Sequence, residues 1–427
     1  MAERMDTARI LHISDLHQGM GLQKVLMPAY KKALFDDFKE VADLAGGWDL
    51  VVFSGDLVQS GKREEYESLE SFLQEAWEIF DKIGFRPALF SVPGNHDLSR
   101  PVAGSIHEKA FSHWWDDEDP AIHLFGGTGG YMETINSVFS GYMEWQRNSR
   151  IPQLKLKPGL LPGDAASSLD LGGISIGLVG LNSAWLQLSA DDAKGHLHVD
   201  ARQLLGVCAD PDSWGDSHDL TLLVTHHPLD WLHERSRAQW RSEIDTHTRF
   251  DFHLHGHMHE HLITAQQQGG GTIRRTLQAS SLFGLEKVGV RQIERRHGYS
   301  LLSYSKGDGS PEVSLFPRLG TTIAGGEHKL VPDQAVGIGR DHCLRIPVRQ
   351  REGATKTPGS LTKIISESID SNVILGMRRS LPDPGAWNVV RKVERERATG
   401  ILKSCRQLWL TADWGMGGGQ LPGFYRR

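Results

Sequence analysis

The segment LVVFSGDLVQSGKREEYESLESFLQEAWEIFDKIGFRPALFSV, residues 50–92, decides the fold class. It begins with a short apolar run rich in β-formers at 50–55, continues with a helical pattern at 63–83, and ends with a second apolar run at 87–92. A strand, a helix and a strand in this order are typical of a βαβ unit, in which both strands lie parallel in one sheet. The segment therefore predicts an α/β fold.

The same alternation continues upstream, and a different pattern follows downstream. Upstream, the run RILHIS (9–14) precedes the helical pattern YKKALFDDFKEVADLA (30–45). Downstream, strands are predicted with few helices between them, at 173–182, 220–225, 250–255, 272–280 and 299–305. Strands that follow one another in this way add a second sheet, so we expect two sheets packed against each other.

Residues 100–165 do not fit this alternation. The segment contains helical patterns near 105–116 and 131–147, and a glycine-rich stretch between them. We interpret it as an insertion that lies over the strand ends and covers the active site. Trp114 and Trp115 are expected to be packing residues, because large aromatic side chains mostly serve that role.

Composition narrows the class of protein. The 427 residues include 39% hydrophobic and 23% charged residues, which is typical of a globular chain. Cys208, Cys343 and Cys405 are odd in number and far apart, so no disulfide framework is expected. The N-terminal residues lack the pattern of a signal peptide, and no window approaches the roughly 18 apolar residues of a membrane span. We therefore expect a cytoplasmic protein with no membrane association.

The charge changes sign along the chain. Residues 1–320 contain 30 Lys and Arg against 43 Asp and Glu, a net charge of −13, whereas residues 321–427 contain 17 against 10, a net charge of +7. We predict a catalytic domain at 1–320 and a smaller, basic α+β extension at 321–427. The extension includes an amphipathic helical pattern at 384–406, followed by a strand and a glycine loop that could start a further domain. A basic extension could recruit a protein partner or a polyanion.

Five apolar strands end in residues that can bind a metal. Asp15 and His17 follow the first, Asp56 the second, Asn95 and His96 the third, His226 the fourth, and His257 and His259 the fifth. In open α/β sheets, functional sites gather at the carboxyl ends of the strands. Although each short motif alone could be an ordinary turn, five of them in this position predict one common metal site.

The ordered motifs also resemble those of a known family. DLH (15–17), GDLV (55–58), GNHD (94–97), THHP (225–228) and GHMH (256–259) resemble motifs of the calcineurin-like metallophosphoesterase superfamily, across residues 8–305. The resemblance implies two facing mixed sheets flanked by helices, a four-layer sandwich with a two-metal site at one edge. It implies the following ligands: Asp15, His17 and His259 for the first metal, Asn95, His226 and His257 for the second, and Asp56 as a bridge between them.

The resemblance also implies roles for two residues beside the metals. His96 would face the substrate without binding either metal, and Asp97 would orient its ring. In THHP either histidine could be the ligand, although the family pattern favours His226 over His227.

The residue types agree with metal-assisted phosphoryl chemistry. Two divalent ions about 3.5 to 4 Å apart can clamp the attacking and leaving oxygens and can acidify a bridging water. A carboxylate such as Asp56 can span both ions because it has two oxygens. Mixed His, Asp and Asn ligands suit manganese, iron, zinc, cobalt or nickel, and the sequence does not distinguish among these metals.

These observations predict a dinuclear phosphodiesterase that uses hydroxide attack, with His96 as acid or oxyanion stabiliser. GDLVQSGKREEY (55–66) and PGNHDLSR (93–100) resemble the phosphodiesterase branch, so the expected substrate is a small phosphodiester or a nucleotide. One alternative is a DNA or RNA nuclease, because HISDLHQGM (12–20) resembles the exonuclease branch; the net charge of −13 disfavours a nuclease that works alone. A second alternative is a regulatory, metal-holding module of a larger multidomain protein.

Overall fold

A computed structural model describes residues 7–21, 23–189, 193–246, 249–267, 273–288, 292–307 and 310–349, and two short strands nearer the C-terminus. The elements are, in chain order, β1 (Thr7–Ile13), α1 (Gln23–Ala45), β2 (Leu50–Phe53), α2 (Arg63–Lys82), β3 (Ala88–Ser91), α3 (Ile106–Ser112), α4 (Asp119–Phe125), α5 (Tyr131–Val138), α6 (Ser140–Asn148), β4 (Lys157–Pro158), β5 (Ala165–Asp170), β6 (Ser175–Gly180), α7 (Ala201–Val207), α8 (Pro211–Asp216), β7 (Leu220–Val224), α9 (Glu234–Gln239), β8 (Phe252–His255), β9 (Leu262–Gln266), β10 (Arg274–Gln278), β11 (Gly284–Val288), β12 (Gln292–Arg296), β13 (Gly298–Ser305), β14 (Glu312–Thr322), β15 (His328–Pro332), β16 (Leu344–Pro347), β17 (Gln407–Leu408) and β18 (Tyr425–Arg426).

Two seven-stranded mixed sheets form the centre of the fold. The first has the order β15-β14-β13-β1-β2-β3, with β16 also paired to β14, and the second has the order β4-β5-β6-β7-β8-β10-β9. Strands β1, β2 and β3 are parallel, as are β6, β7, β8 and β10, whereas β13 runs antiparallel to β1. The predicted pair of mixed sheets is therefore confirmed.

Alternating side chains bind the layers together. In β1, Ile10 belongs to an apolar cluster that also contains Leu222 and Leu254 of the second sheet, so this cluster lies between the sheets. The neighbouring Leu11 belongs to a separate cluster with Phe38 of α1 and other helical residues. Because successive side chains of a strand point to opposite faces, the first sheet is covered by helices on one face and by the second sheet on the other.

Helix α2 illustrates how the sequence places a helix on the sheet. Its buried residues recur at the spacing of one helical face: Tyr66, Leu69, Phe72, Leu73, Ala76, Trp77 and Phe80. At its start, the Glu65 carboxylate accepts hydrogen bonds from the backbone N–H of Ser60 at 2.8 Å and of Lys62 at 3.2 Å. A side chain that turns back onto the free N–H groups stabilises a helix N-terminus and orients the loop that precedes it.

The insertion at 100–165 contains four short helices, α3 to α6, where the sequence predicted two. Helix α3 ends at Ser112, and the longer predicted helix at 131–147 is divided at Phe139 into α5 and α6. Trp114 is buried in an apolar cluster with Trp185, and its indole N–H donates to His198 Nδ1 at 2.9 Å. Trp114 thus has the expected packing role.

The structure places the end of the first compact unit later than the sequence did. Strand β14 runs through residue 320, and the later strands β15 and β16 both pair with it. The first unit therefore extends to Ala354, and the boundary predicted at 320 needs correction, because it would cut through a hydrogen-bonded strand. In the second unit, Thr355–Arg427, the described strands β17 and β18 pair antiparallel. The helix predicted at 384–406 lies outside the described residues.

None of the helices within the described residues has both the length and the apolar character that a bilayer span requires.

A buried ion pair fastens β14 to α1. Asp37 of α1 accepts hydrogen bonds from Arg318 Nε of β14 at 3.0 Å and from the hydroxyl of Tyr299 at 2.6 Å. All three residues are buried. Replacing Asp37 with Ala is expected to lower the free energy of unfolding by about 3 kcal/mol, because Arg318 would stay buried without its main counter-charge. Chemical denaturation followed by circular dichroism measures this change.

The adjacent Asp36 provides a matched control. Its carboxylate is half-exposed and pairs with the exposed lysines Lys32 and Lys39. Replacing Asp36 with Ala should therefore cost less than about 1 kcal/mol. Equal losses for the two variants would contradict the view that the Arg318 contact anchors β14 to the core.

Candidate metal centre

Every predicted ligand lies a few residues beyond the carboxyl end of a parallel strand. Strands β1, β2 and β3 of the first sheet and β7 and β8 of the second end directly before the five motifs. The two sheets contribute to the same place, because the backbone N–H of His257 donates to Asp15 Oδ2 at 3.0 Å across 242 residues of sequence. The motifs predicted to converge therefore do so at one edge of the sandwich.

Asp15, His17 and His259 form the first group of side chains. His259 Nε2 lies 3.3 Å from Asp15 Oδ1 and 3.2 Å from His17 Nε2. His17 Nε2 lies 3.8 Å from the same Asp15 oxygen. Two imidazole nitrogens and one carboxylate oxygen thus point at a common position, and their donor atoms lie close enough to share one metal ion.

Asn95, His226 and His257 form the second group, and Asp56 connects it to the first. His226 Nε2 lies 3.1 Å from Asn95 Oδ1 and 3.2 Å from His257 Nδ1. Asp56 Oδ2 lies 3.2 Å from His226 Nε2 and 3.9 Å from His17 Nε2, so one oxygen faces both groups. This is the position that the bridging role requires.

The hydrogen bonds at His226 suit a cation better than they suit the side chains alone. His226 Nδ1 lies 2.8 Å from the carbonyl oxygen of Ser54 and must donate to it, which leaves Nε2 as an acceptor in the neutral ring. This Nε2 faces the oxygens of Asn95 and Asp56 and the ring nitrogen of His257. The arrangement therefore favours a positive charge at Nε2, which either a proton or a metal ion can supply.

One further atom supports the same conclusion. Asp15 Oδ1 is buried and has no hydrogen-bond partner among the described residues. A buried polar atom without a partner costs free energy unless an ion or a water satisfies it. The Asp15 oxygen belongs to the first group, so a divalent ion there would satisfy it. The residues present therefore fit two divalent metal ions.

The electrostatics hold most of these groups in the protonation state that metal binding requires. Burial favours neutral Asp56, but the surrounding histidines, His226 foremost, together outweigh it and hold the pKa of that carboxyl well below its usual value. Burial lowers the pKa of His17 to about 4 and that of His257 to about 3, so both rings are neutral near pH 7. His226 differs: burial lowers its pKa, but the Asp56 carboxylate, with smaller contributions from Asp15 and the Ser54 carbonyl, more than offsets this and raises the pKa to about 9. A metal ion at His226 Nε2 would replace that proton.

The backbone at the site is strained. Asp15, His17, Asp56, His257 and His259 have φ angles between 50° and 72°, in the left-handed region that non-glycine residues rarely adopt. Such conformations cost free energy, persist only where the surroundings impose them, and cluster at functional sites. Five of the seven predicted ligands share this conformation, which aims their side chains at the common position.

Close packing at two glycines lets the loops approach each other. A Cβ at Gly94 would lie 2.2 Å from Asp56 Oδ1, and a Cβ at Gly256 would lie 1.9 Å from Ser14 Oγ and 2.4 Å from Asp15 Oδ2. Any side chain at either position would therefore displace a predicted ligand. This explains why GNHD and GHMH begin with glycine.

His226, and not His227, faces the candidate metals. The His227 ring lies close to those of His226 and His257, so proximity alone would admit it as a ligand. Its Nδ1, however, lies 3.0 Å from Ser183 Oγ, and its Nε2 lies 3.0 Å from Gln187 Oε1. Both ring nitrogens are thus engaged by protein groups, which favours His226 over His227 as the ligand.

The expected role of Asp97 needs correction. Asp97 is fully buried, and its oxygens accept hydrogen bonds from the backbone N–H groups of Leu57, Val58 and Gly94. It therefore joins the loop after β2 to the loop after β3 and does not orient the His96 ring. Burial, with a smaller contribution from the Asp56 carboxylate, raises the pKa of Asp97 to about 7.

Gln59 orients His96, and sequence reasoning did not identify it. The carbonyl oxygen of Gln59 lies 2.8 Å from His96 Nδ1 and accepts its proton, and the His96 backbone N–H donates to Asp56 Oδ1 at 2.8 Å. The His96 ring packs edge-on against that of His17, with 4.8 Å between ring centroids. Gln59 lies in GDLVQSGKREEY, the motif that resembles the phosphodiesterase branch. No local signal, however, identifies its backbone carbonyl as the partner of a histidine 37 residues away.

Comparison with known proteins gives one family match. The family model described as calcineurin-like phosphoesterase matches residues 8–261, which include every predicted ligand. A search of curated protein sequences finds no significant match.

Several solved structures are similar at low sequence identity. A putative 5'-nucleotidase from Staphylococcus aureus has 11% identity and a TM-score of 0.34, with 90% of this chain and 62% of that chain covered. The purple acid phosphatase PPD1 of yellow lupin has 13% identity and a TM-score of 0.37, with 84% and 58% covered. The NAD nucleotidase of Haemophilus influenzae has 12% identity and a TM-score of 0.38, with 92% and 60% covered. The chain thus spans less than two thirds of each of these proteins, and likenesses this weak carry no inference about the reaction.

Proposed function

Because the chain belongs to the calcineurin-like phosphoesterase family, whose members are metal-dependent hydrolases, we propose that it hydrolyses a phosphodiester at a centre of two divalent ions. The observation that carries this proposal is the arrangement of seven ligand-type side chains in two groups, with Asp56 Oδ2 facing both. Asp15, His17 and His259 would hold one ion, and Asn95, His226 and His257 the other. When bound, the ions would stabilise charge on the phosphoryl oxygens and make a nearby water more acidic.

The side chains around the ions have distinct tasks. The Ser54 carbonyl keeps the proton of His226 on Nδ1, so that Nε2 is available as a ligand. The Gln59 carbonyl likewise keeps a proton on His96 Nδ1. His96 Nε2 is then the atom that can hold a second proton and donate it to a phosphoryl oxygen or to the leaving oxygen.

The choice of a diester over a monoester rests on the motifs. GDLVQSGKREEY and PGNHDLSR resemble the phosphodiesterase branch, and both lie at the site, since Gln59 and His96 belong to them. The net charge of −13 over residues 1–320 disfavours a long polyanion as substrate, so we propose a small diester or a nucleotide.

A paired assay tests the proposal. Metal-free protein is supplied separately with manganese, iron, zinc, cobalt or nickel and assayed with bis-p-nitrophenyl phosphate and p-nitrophenyl phosphate, which share a leaving group. We expect kcat/KM to be at least about tenfold higher for the diester with the best metal, and a chelator to abolish turnover. A preference for the monoester would contradict the diesterase proposal. Hydrolysis of neither ester with any of these metals would contradict a phosphoesterase function.

A further inference from the structure

The loop at 182–189 connects two of the strand-end loops that carry candidate ligands. At its start, Ser183 Oγ lies 3.0 Å from His227 Nδ1 and accepts the His227 backbone N–H at 3.0 Å. Gln187 Oε1 lies 3.0 Å from His227 Nε2. These contacts fasten the loop beside His226, a candidate ligand of the second ion.

Arg100 fastens the other end of the same loop. Its Nε donates to the carbonyl oxygen of Ser189 at 3.1 Å, and its Nη2 lies 3.3 Å from the carbonyl oxygen of Asn95. Asn95 is another candidate ligand of the second ion. Arg100 therefore contacts the loop that carries this ligand. Trp185 in the middle of the loop is buried against Phe111 and Trp114 of the insertion, which gives the loop a rigid support.

The Arg100 guanidinium has unused hydrogen-bond donors and a positive charge without a carboxylate partner among the described residues. Arg100 is exposed, and within the described part of the chain it makes no ion pair; its two bonds both go to backbone carbonyls. A guanidinium has five N–H donors in one plane, so both N–H groups of Nη1 and one of Nη2 remain for a ligand. Two parallel N–H groups match two oxygens of a phosphate.

The surroundings make this positive charge distinctive. Residues 1–320 carry a net charge of −13, which makes the average electrostatic potential of this part of the chain negative. A fixed, unpaired arginine beside the candidate centre is therefore a local positive charge of opposite sign. Arg318, by contrast, is buried against Asp37. If Arg100 only joined two loops, its remaining N–H groups would not need to be accessible to solvent.

We propose that Arg100 is a specificity-determining residue, which binds a second phosphate group of the substrate next to the phosphoryl group that reacts. This inference rests on the proposed function and adds the class of substrate, namely phosphate esters that carry a further phosphate. The carbonyls of Ser189 and Asn95 hold the guanidinium in place, and its remaining N–H groups bind the second phosphate.

Two esters that differ by a single phosphate test the inference. Thymidine 5'-(p-nitrophenyl phosphate) and its 3'-phosphorylated analogue share the reacting group and the leaving group. We expect the wild-type enzyme to prefer the phosphorylated ester, mainly through a lower KM. Replacing Arg100 with Gln should reduce the ratio of the two kcat/KM values by about tenfold, and Arg100→Lys should restore part of it, because it keeps the charge but not the planar fork.

Arg147 provides the control, because it is an exposed arginine on α6 of the same insertion. Arg147→Gln removes the same charge and should leave the specificity ratio within about twofold of the wild-type value. If Arg100→Gln lowers both rates equally, Arg100 acts only as a loop tether, and the proposal is overturned. An equal change of the ratio in Arg147→Gln would overturn it too, because the effect would then reflect net charge alone.

A binding measurement separates this inference from the proposed function. Dissociation constants of thymidine 3',5'-bisphosphate and thymidine 5'-monophosphate are measured by calorimetry for the wild type and for Arg100→Gln. The bisphosphate should lose about tenfold more affinity than the monophosphate in the variant. If neither ester is hydrolysed with any metal, the proposed function fails, but this ratio still decides the role of Arg100: equal losses would refute it.

Discussion

Replacing Asp56 with Asn is expected to reduce the metal content from two divalent ions to about one per chain and to lower diester hydrolysis by roughly 1000-fold. Asp56 Oδ2 lies 3.2 Å from His226 Nε2 and 3.9 Å from His17 Nε2, so it is the atom that faces both groups of ligands. An amide lacks the negative charge that holds two cations close together. Its NH2 group would also oppose a cation or the backbone N–H of His96, which now donates to Asp56 Oδ1.

Elemental analysis of metal-saturated protein, combined with steady-state assays on bis-p-nitrophenyl phosphate, measures both effects. Asp36→Asn on the exposed face of α1 is the control and should leave metal content and turnover unaltered, because Asp36 pairs only with surface lysines among the described residues. Two ions retained in Asp56→Asn would refute the bridging role, even if turnover fell.

Replacing His96 with Ala should leave both metals bound and lower turnover by roughly 100-fold to 10,000-fold, the range for a positioned acid–base group. The His96 ring lies near Asp56 and His17, so a rival interpretation is that it binds a metal itself. Metal content distinguishes the two interpretations. Loss of one ion in His96→Ala would make His96 a ligand, and the proposed assignment of ligands would then be wrong.

The dependence on the leaving group reveals what His96 does. If His96 protonates the leaving oxygen, His96→Ala should harm esters with poor alkyl leaving groups more than activated nitrophenyl esters. Equal losses for both kinds of ester would mean that it stabilises the phosphoryl oxygens. His328→Ala on β15 is the control, because this imidazole lies on an edge strand of the first sheet and should not affect either activity.

Much of the fold could be predicted because its signals are local. Apolar runs of four to seven residues became β1, β2 and β3, and the 3.6-residue period of buried positions became α2. The family-type motifs directly follow these runs, so their positions in the sheet and their convergence followed from the rule that sites form at the carboxyl ends of parallel strands. Composition could not place the boundary after 320, because β14 is held to β15 and β16 by hydrogen bonds between strands.

The sequence by itself determined the fold class and predicted a metal site at the strand ends, because residue type and position relative to a strand are local properties. The resemblance to a known family then implied the candidate ligands Asp15, His17, Asp56, Asn95, His226, His257 and His259, and the candidate acid His96. Only the tertiary structure decided how these groups are oriented. The carbonyl of Ser54 sets the tautomer of His226 across 172 residues, the carbonyl of Gln59 orients His96, and Asp97 holds loops together. Partners of this kind are selected by proximity in the folded chain. Every residue has a backbone carbonyl, so the sequence does not indicate which carbonyl accepts a given hydrogen bond.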